Sequence, residues 1–187
     1  SFYDNRIIGY SSVRADVDFL ANYDIENDIR ADWFENDGSS FVLDQDGGKI
    51  EKYLHRSEWD MDEVLIRSAE MYLIEAEAEA QLGNYPEAQD ALFVIQGRSI
   101  PTAEKSTNTG NALLEEIYLE RRKELVGEGL RLFDIKRLEK PLERGASAWP
   151  EVIKNLPAND PLFNYPIPQD EIDANENISE ADQNEAY

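Results

Sequence analysis

The chain has 187 residues, enough for one sizeable domain or two small ones sharing a core. Its 40 acidic and 18 basic residues leave a net charge of −22, which excludes electrostatic binding to nucleic acid or to an anionic bilayer. With no cysteine and a single histidine, His55, the chain offers no disulfide, thiolate nucleophile or cysteine-type zinc site, and no multi-histidine metal site or histidine-based triad.

From the N-terminus, SFYDNRIIGY has no signal-peptide pattern, and no apolar run approaches transmembrane length. Either the protein is cytoplasmic or its targeting segment lies outside this chain. Residues 1–34 predict a helix and a polar turn, with Ser12 as cap and Val13, Val17, Leu20 and Ala21 on one face. Residues 40–54 predict a hairpin, because FVL and KIEKY flank DQDGG and Asp46-Gly47 is a tight-turn signal. The acidic turn raises calcium as an alternative. A calcium loop of EF-hand type needs an oxygen ligand where Gly48 stands and glycine where Lys49 stands, so a plain hairpin with no metal is expected.

From Asp62 the pattern turns helical. Leu65, Ala69, Tyr72, Leu73, Ala76 and Ala80 share one face, Asp60 or Asp62 caps the start, and Gly83 closes the end. Asn84 caps a second helix with Pro86 in its first turn and Ala88, Ala91, Leu92 and Ile95 on its apolar face. So short a connection folds the pair back antiparallel. GRSIPTAEKSTNTG, residues 97–110, predicts a polar, mobile loop. A third helix is expected over about 111–126, loosened at Gly127 and Gly129, with a short helix through Arg137. Beyond Pro141 the prolines at 150, 157, 161, 166 and 168 predict an irregular tail.

The third helix poses a problem. Its apolar stripe of Leu114, Ile117, Leu125 and Leu132 also carries Arg121 and Glu128. These charges are catalytic, or the helix is mis-phased, or they belong to an internal ion network. Catalysis by carboxylates needs two with divergent pKa values across a cleft, and among 40 acids nothing singles out a pair. The sequence also has no glycine-rich phosphate loop, nucleophile elbow or HExxH motif.

LGNYPEAQDAL, residues 82–92, is the centre of a tetratricopeptide-type hairpin: glycine ends one helix, an aromatic plugs the corner, and alanines let the second lie close. One such unit cannot bury both its faces, so the pair over 111–137 would be a degenerate neighbour. The expected fold is mainly α, with tetratricopeptide-like antiparallel helical hairpins, a small β-hairpin and long irregular loops. It forms one domain over 1–187: loop and hairpin to 60, helical over 61–138, irregular tail over 139–187.

Three stretches resemble the RagB/SusD family, surface nutrient-binding lipoproteins of Bacteroidetes outer membranes. They are LIRSAEMYLIEAEAEAQLGNYPEA, LLEEIYLERRKELVGEGLRLFDIKR and YPIPQDEIDANENISEADQNEAY. The matching positions are Arg67, Ala69, Glu70, Ala76, Glu77 and Ala78, then Glu120, Arg121, Glu124, Leu125, Glu128, Gly129, Arg131, Phe133, Asp134 and Arg137. In the tail they are Pro166, Ile167, Pro168, Glu171, Ile172, Asn175, Gln183, Asn184 and Tyr187, with Glu185-Ala186 replacing the family's Pro-Gly. Family members are considerably longer, with their lipidated cysteine and much of the glycan-binding part upstream. The resemblance therefore implies the C-terminal portion of such a protein, reaching the membrane only through an anchor outside this chain.

The resemblance implies non-catalytic, cofactor-free capture of oligosaccharides, or in some members peptides, for a TonB-dependent (SusC-like) transporter, with this portion mainly scaffold and partner surface. The alternative is a helical-repeat interaction module without a small-molecule ligand. Resemblance and physics together favour the ion network for the charged stripe. An unpaired buried charge costs several kcal/mol, and arginine's fork suits several carboxylates. Arg121 is expected to be buried against Glu124, Glu128, Glu70 or Glu77, with Arg131 bonding Asp134 at i, i+3. Trp59, Trp33 and Trp149 are the candidates for stacking on sugar, whose C–H faces suit a flat indole.

Overall fold

A computed structural model describes residues 14–44, 47–52, 65–144 and 155–186. The first elements build a small sheet. Strand β1 (Arg14–Ala15) leads into a one-turn helix α1 (Val17–Leu20), capped by the Asp16 carboxylate accepting from the Asp18 amide. A 3₁₀ turn follows over Ile29–Trp33, then strands β2 (Leu43–Asp44) and β3 (Gly47–Lys49). β3 lies between β1 and β2 and is antiparallel to both, with Ala15 and Leu43 each paired to Gly48.

The hairpin is therefore present, but Asp44 pairs with Gly47, so both glycines belong to the strand rather than the turn. Their use is close approach: a Cβ on Gly48 would sit 2.4 Å from Leu20 Cδ1, and Gly47 holds φ at 116°. The first helix departs from expectation. Ser12 and Val13 fall outside the described residues, Asp16 is the cap, and Val17 and Ala21 are exposed while Phe19 and Leu20 are buried. A short strand occupies the first expected turn, which shifts the buried face. Ala15, Phe19, Leu20, Tyr23 and Phe34 form a compact core with edge-to-face ring contacts at 5.5 Å (Phe19–Tyr23) and 5.0 Å (Tyr23–Phe34).

The helical layer comprises α2 (Ser68–Leu82), α3 (Tyr85–Ser99), α4 (Gly110–Glu124) and α5 (Arg131–Arg137). Gly83 in the left-handed region at φ 84° ends α2, and α3 folds back antiparallel, with Tyr85 part-buried at the corner. Ala69, Leu73, Ala76 and Ala80 of α2 meet Ala88, Ala91, Leu92 and Ile95 of α3, and Leu113 and Ile117 of α4, with Leu125 just past its end, close the core. Alanine at the crossing positions removes the side-chain bulk that would hold the helix axes apart.

Several boundaries differ from the periodicity. α2 begins at Ser68, leaving Leu65 83% exposed, and Tyr72 stands half out of the core. Asp60 and Asp62, the expected caps, lie outside the described residues. Asn84 does not cap α3 with its side chain; its amide donates to Glu79 at 2.7 Å. The fully buried position on α4 is Leu113, with Leu114 only partly buried. The expected mobile loop is tied down: Ser106 and Asn108 donate to Glu116 at 2.6 and 2.8 Å, and Lys105 pairs with Asp90. The tail also holds structure, with a bridge between Leu142 and Leu156 and a helix α6 (Gln169–Ala174) that buries Ile172.

Candidate functional site

The charges on α4 divide into two sets according to the partners they bond. Glu120 and Glu124 stand one turn apart and face Arg30, which is fully buried after its cap residue Asp28. Arg30 bonds Asp28 at 2.9 Å, Glu120 at 2.6 Å and Glu124 at 3.1 Å, and Lys123 closes on Asp28 at 2.9 Å. Glu124, with no exposed surface, also receives Arg67 at 2.5 Å and Arg98 at 2.7 Å. Arg67 continues to Glu128, which bonds Lys52 at 2.5 Å. One carboxylate thus gathers three guanidinium groups from three separate stretches of chain.

The second set ties α4 to α2 and α5. Arg121, 7% exposed, bonds both oxygens of Asp134 at 3.1 and 3.0 Å and reaches Glu70 of α2 at 3.1 Å. Arg137 takes Asp134 at 2.8 Å and grips Glu77 at 2.5 and 2.8 Å. Of the acceptors considered for Arg121, only Glu70 serves it. Glu124 and Glu128 are held by Arg67 instead. Arg131 lies exposed at the start of α5 and does not take Asp134, whose oxygens are held by Arg121 and Arg137.

Burial by itself would raise the Glu124 carboxyl, but hydrogen bonds from Arg98 and Arg67 outweigh it and hold the group below the ordinary glutamate value. Asp28 and Glu128 are lowered in the same way, by Arg30 with Lys123 and by Arg67 with Lys52. Burial dominates at Lys52 and brings it down to about 8, despite Glu128. For the carboxylates the folded values lie below the unfolded ones, so their stabilisation is complete above the unfolded values and is lost as pH falls through the folded ones. The urea midpoint should therefore hold down to about pH 5 and fall steeply below the ordinary values of 4.5 for glutamate and 3.8 for aspartate. In Glu124→Gln the fall should be shallower. A midpoint insensitive to pH between about 5 and 2.5 would count against the ion network as the source of acid sensitivity.

The sequence-predicted tryptophans separate. Trp33 is half-buried, and Lys52 Nζ sits 4.0 Å from its ring centroid, so that face is already covered. Trp59 and Trp149 lie outside the described residues. A concave site not signalled by sequence is a cleft of about 540 Å³ between the α1 region and the Leu142–Leu156 bridge. Asp16, Asp18, Arg122, Glu143, Arg144 and Asn155 supply its polar lining. The Arg122 guanidinium lies 4.6 Å from the ring centroid of Phe19, and burial lowers its pKa more than Asp16 and Tyr23 restore it. Such a lining, with acceptors and donors interleaved, suits a hydroxyl-rich ligand. It has no sequence signal because its walls come from four separate stretches.

Among the described residues no cluster of histidine, aspartate and glutamate could hold a metal ion. Where neighbours move a carboxyl there, at Asp24, Asp28, Asp37, Glu124, Glu128 and Asp182, they move it down. That is the wrong direction for a general acid near neutral pH. No described helix is long and apolar enough to cross a membrane.

The SusD family model matches residues 46–187. SusD-like protein P38 of Formosa agariphila is 36% identical, over 45% of this chain and 18% of its own length. Among solved structures, a SusD-like carbohydrate binding protein from Bacteroides vulgatus superposes with a TM-score of 0.70 at 26% identity, covering 93% of this chain and 43% of its own. A SusD superfamily protein from Bacteroides thetaiotaomicron gives 0.69 at 31%, covering 88% and 38%. This chain spans less than half the length of each of these relatives.

Proposed function

We propose, since this chain belongs to the SusD family, that it is the C-terminal portion of a longer, surface-exposed outer-membrane lipoprotein. That protein captures oligosaccharides and hands them, uncleaved, to a TonB-dependent transporter. The observation that carries the reading is the family match over residues 46–187, which takes in the whole helical layer and most of both ion sets. The paired charges make this portion a rigid scaffold. Within this portion the Arg122 cleft and, outside the described residues, Trp59 and Trp149 are the places assigned to ligand.

The test is calorimetry of the full-length protein against neutral oligosaccharides, with Trp59→Ala and Arg122→Ala beside it. Binding should survive increased salt, because neutral sugar is held by hydrogen bonds and stacking rather than by screened charge. Trp59→Ala should weaken it by roughly tenfold, about 1.4 kcal/mol. Release of reducing ends by the purified protein would overturn the non-catalytic reading. Absence of binding to any glycan on an array, together with failure to co-purify with a transporter, would overturn the rest.

A further inference from the structure

With 40 acids to 18 bases, a cation in this chain has carboxylates in surplus. On α4, Arg121 lies 3.0 Å from Asp134 and Lys123 lies 2.9 Å from Asp28. Arg122, between them in sequence, bonds no carboxylate among the described residues, although it is half-buried. A guanidinium withdrawn from water without an acceptor is costly. Its carbon sits 4.6 Å from the centroid of the buried Phe19 ring, a contact that fixes the group and leaves its N–H donors unused. The group opens on the cleft of about 540 Å³ beside the Leu142–Leu156 bridge. Arg144, exposed on the same lining, also bonds no carboxylate among the described residues. Nor does Arg131, which is close enough for its charge and that of Arg122 to repel. Three acids line the cleft as well. Asp18 and Glu143 are exposed and screened by water, and Asp16 has one oxygen committed to the α1 cap, 3.0 Å from the Asp18 amide.

We propose that this cleft receives one anionic group of a captured glycan, a carboxylate or a sulfate ester on a single sugar residue, in the fork of Arg122. Arg144 is the second positive contact. A planar fork matches two oxygens of either group at once, which an ammonium cannot do. The proposal rests on the glycan-binding reading and adds the charge of one ligand residue to it. The negative field of the whole molecule does not forbid a single charge. At 0.15 M salt that field is screened over about 8 Å, whereas the guanidinium acts at contact.

Arginine modification by phenylglyoxal, located by peptide mass, reports on the fork directly in the full-length protein. The probes are methyl glucuronide, glucose 6-sulfate, methyl glucoside and sodium acetate, and Arg98, already held by Glu124, is the internal reference. With an anionic sugar at about ten times its Kd, reaction at Arg122 should slow about tenfold, the free fraction that mass action leaves, while Arg98 is unchanged. Protection should weaken at 1 M salt, where the Debye length falls to about 3 Å. By calorimetry, Arg122→Gln should lose the binding of the protecting sugar and Arg122→Lys should keep a weakened form of it. The parent protein carries the modification assay, so a variant that fails to fold leaves the test standing. Protection by the glucuronide alone identifies a uronic acid residue, and by the sulfate alone a sulfate ester. Equal protection by methyl glucoside overturns the anionic site and leaves glycan binding intact. Equal protection by acetate marks an adventitious ion only and also overturns it. Protection by no probe overturns it too, and calorimetry against neutral oligosaccharides then reports separately whether the glycan reading stands.

Discussion

Glu124→Ala should lower stability by roughly 3–5 kcal/mol, the range for removing one partner of a buried charge set. Arg30, fully buried, would lose one acceptor, Arg67 would keep only Glu128 among its carboxylates, and Arg98 would lose its own. Arg98 is 46% exposed along its side chain and can return to water, so most of the cost falls at Arg30 and Arg67. At this size the loss corresponds to a drop in Tm on the order of 10 °C. Arg98→Ala, by contrast, removes a solvent-screened arm and should cost under about 1 kcal/mol. Urea unfolding of both variants decides the matter: equal effects would mean that Glu124 is not the centre of the set.

Arg121→Ala should cost a similar 3–5 kcal/mol or so, by a different route. It unties α4 from both α2 and α5 at once, because Arg121 bonds Glu70 on one and Asp134 on the other. Arg121→Lys should recover only part of the loss. The lysine ammonium is a point donor and cannot span both carboxylates as the planar fork does. Arg137 would keep Asp134 partly satisfied, which sets the lower end of the range. A lysine variant as stable as the parent would show that charge alone, without the fork geometry, holds the three helices.

What the sequence disclosed is what short-range chemistry controls. The α2–α3 hairpin is legible because alanines recur at helical spacing and Gly83 must take a left-handed conformation. The burial of Arg121 is legible because it interrupts an apolar stripe. Glu70 is among the four acceptors the sequence offers for it, but Asp134, 13 residues away, is not singled out among 40 acidic residues that look alike along the chain. Arg30 gave no warning at all. It sits in IENDIRADW, a stretch without a clear period, and bonds Glu124 across 94 residues. β1, two residues long, is shorter than any alternation can reveal. The cleft near Arg122 is assembled from segments whose meeting depends on all of these contacts.

The two ion sets join seven acids to seven cations: Asp28, Glu70, Glu77, Glu120, Glu124, Glu128 and Asp134 with Arg30, Lys52, Arg67, Arg98, Arg121, Lys123 and Arg137. They cancel, so the whole charge of −22 is carried by the rest of the chain, from which much of the positive charge has been withdrawn. Around such a molecule the long-range potential is negative on nearly every approach. A neutral solute crosses that field freely. A polyanion, such as a chain of uronic acids or sulfate esters, meets repulsion before it meets any surface. Its encounter rate rises as ionic strength shortens the Debye length from about 30 Å at 0.01 M to about 8 Å at 0.15 M. The net charge of this portion thus sets, well outside its surface, a bias against polyanions that salt removes.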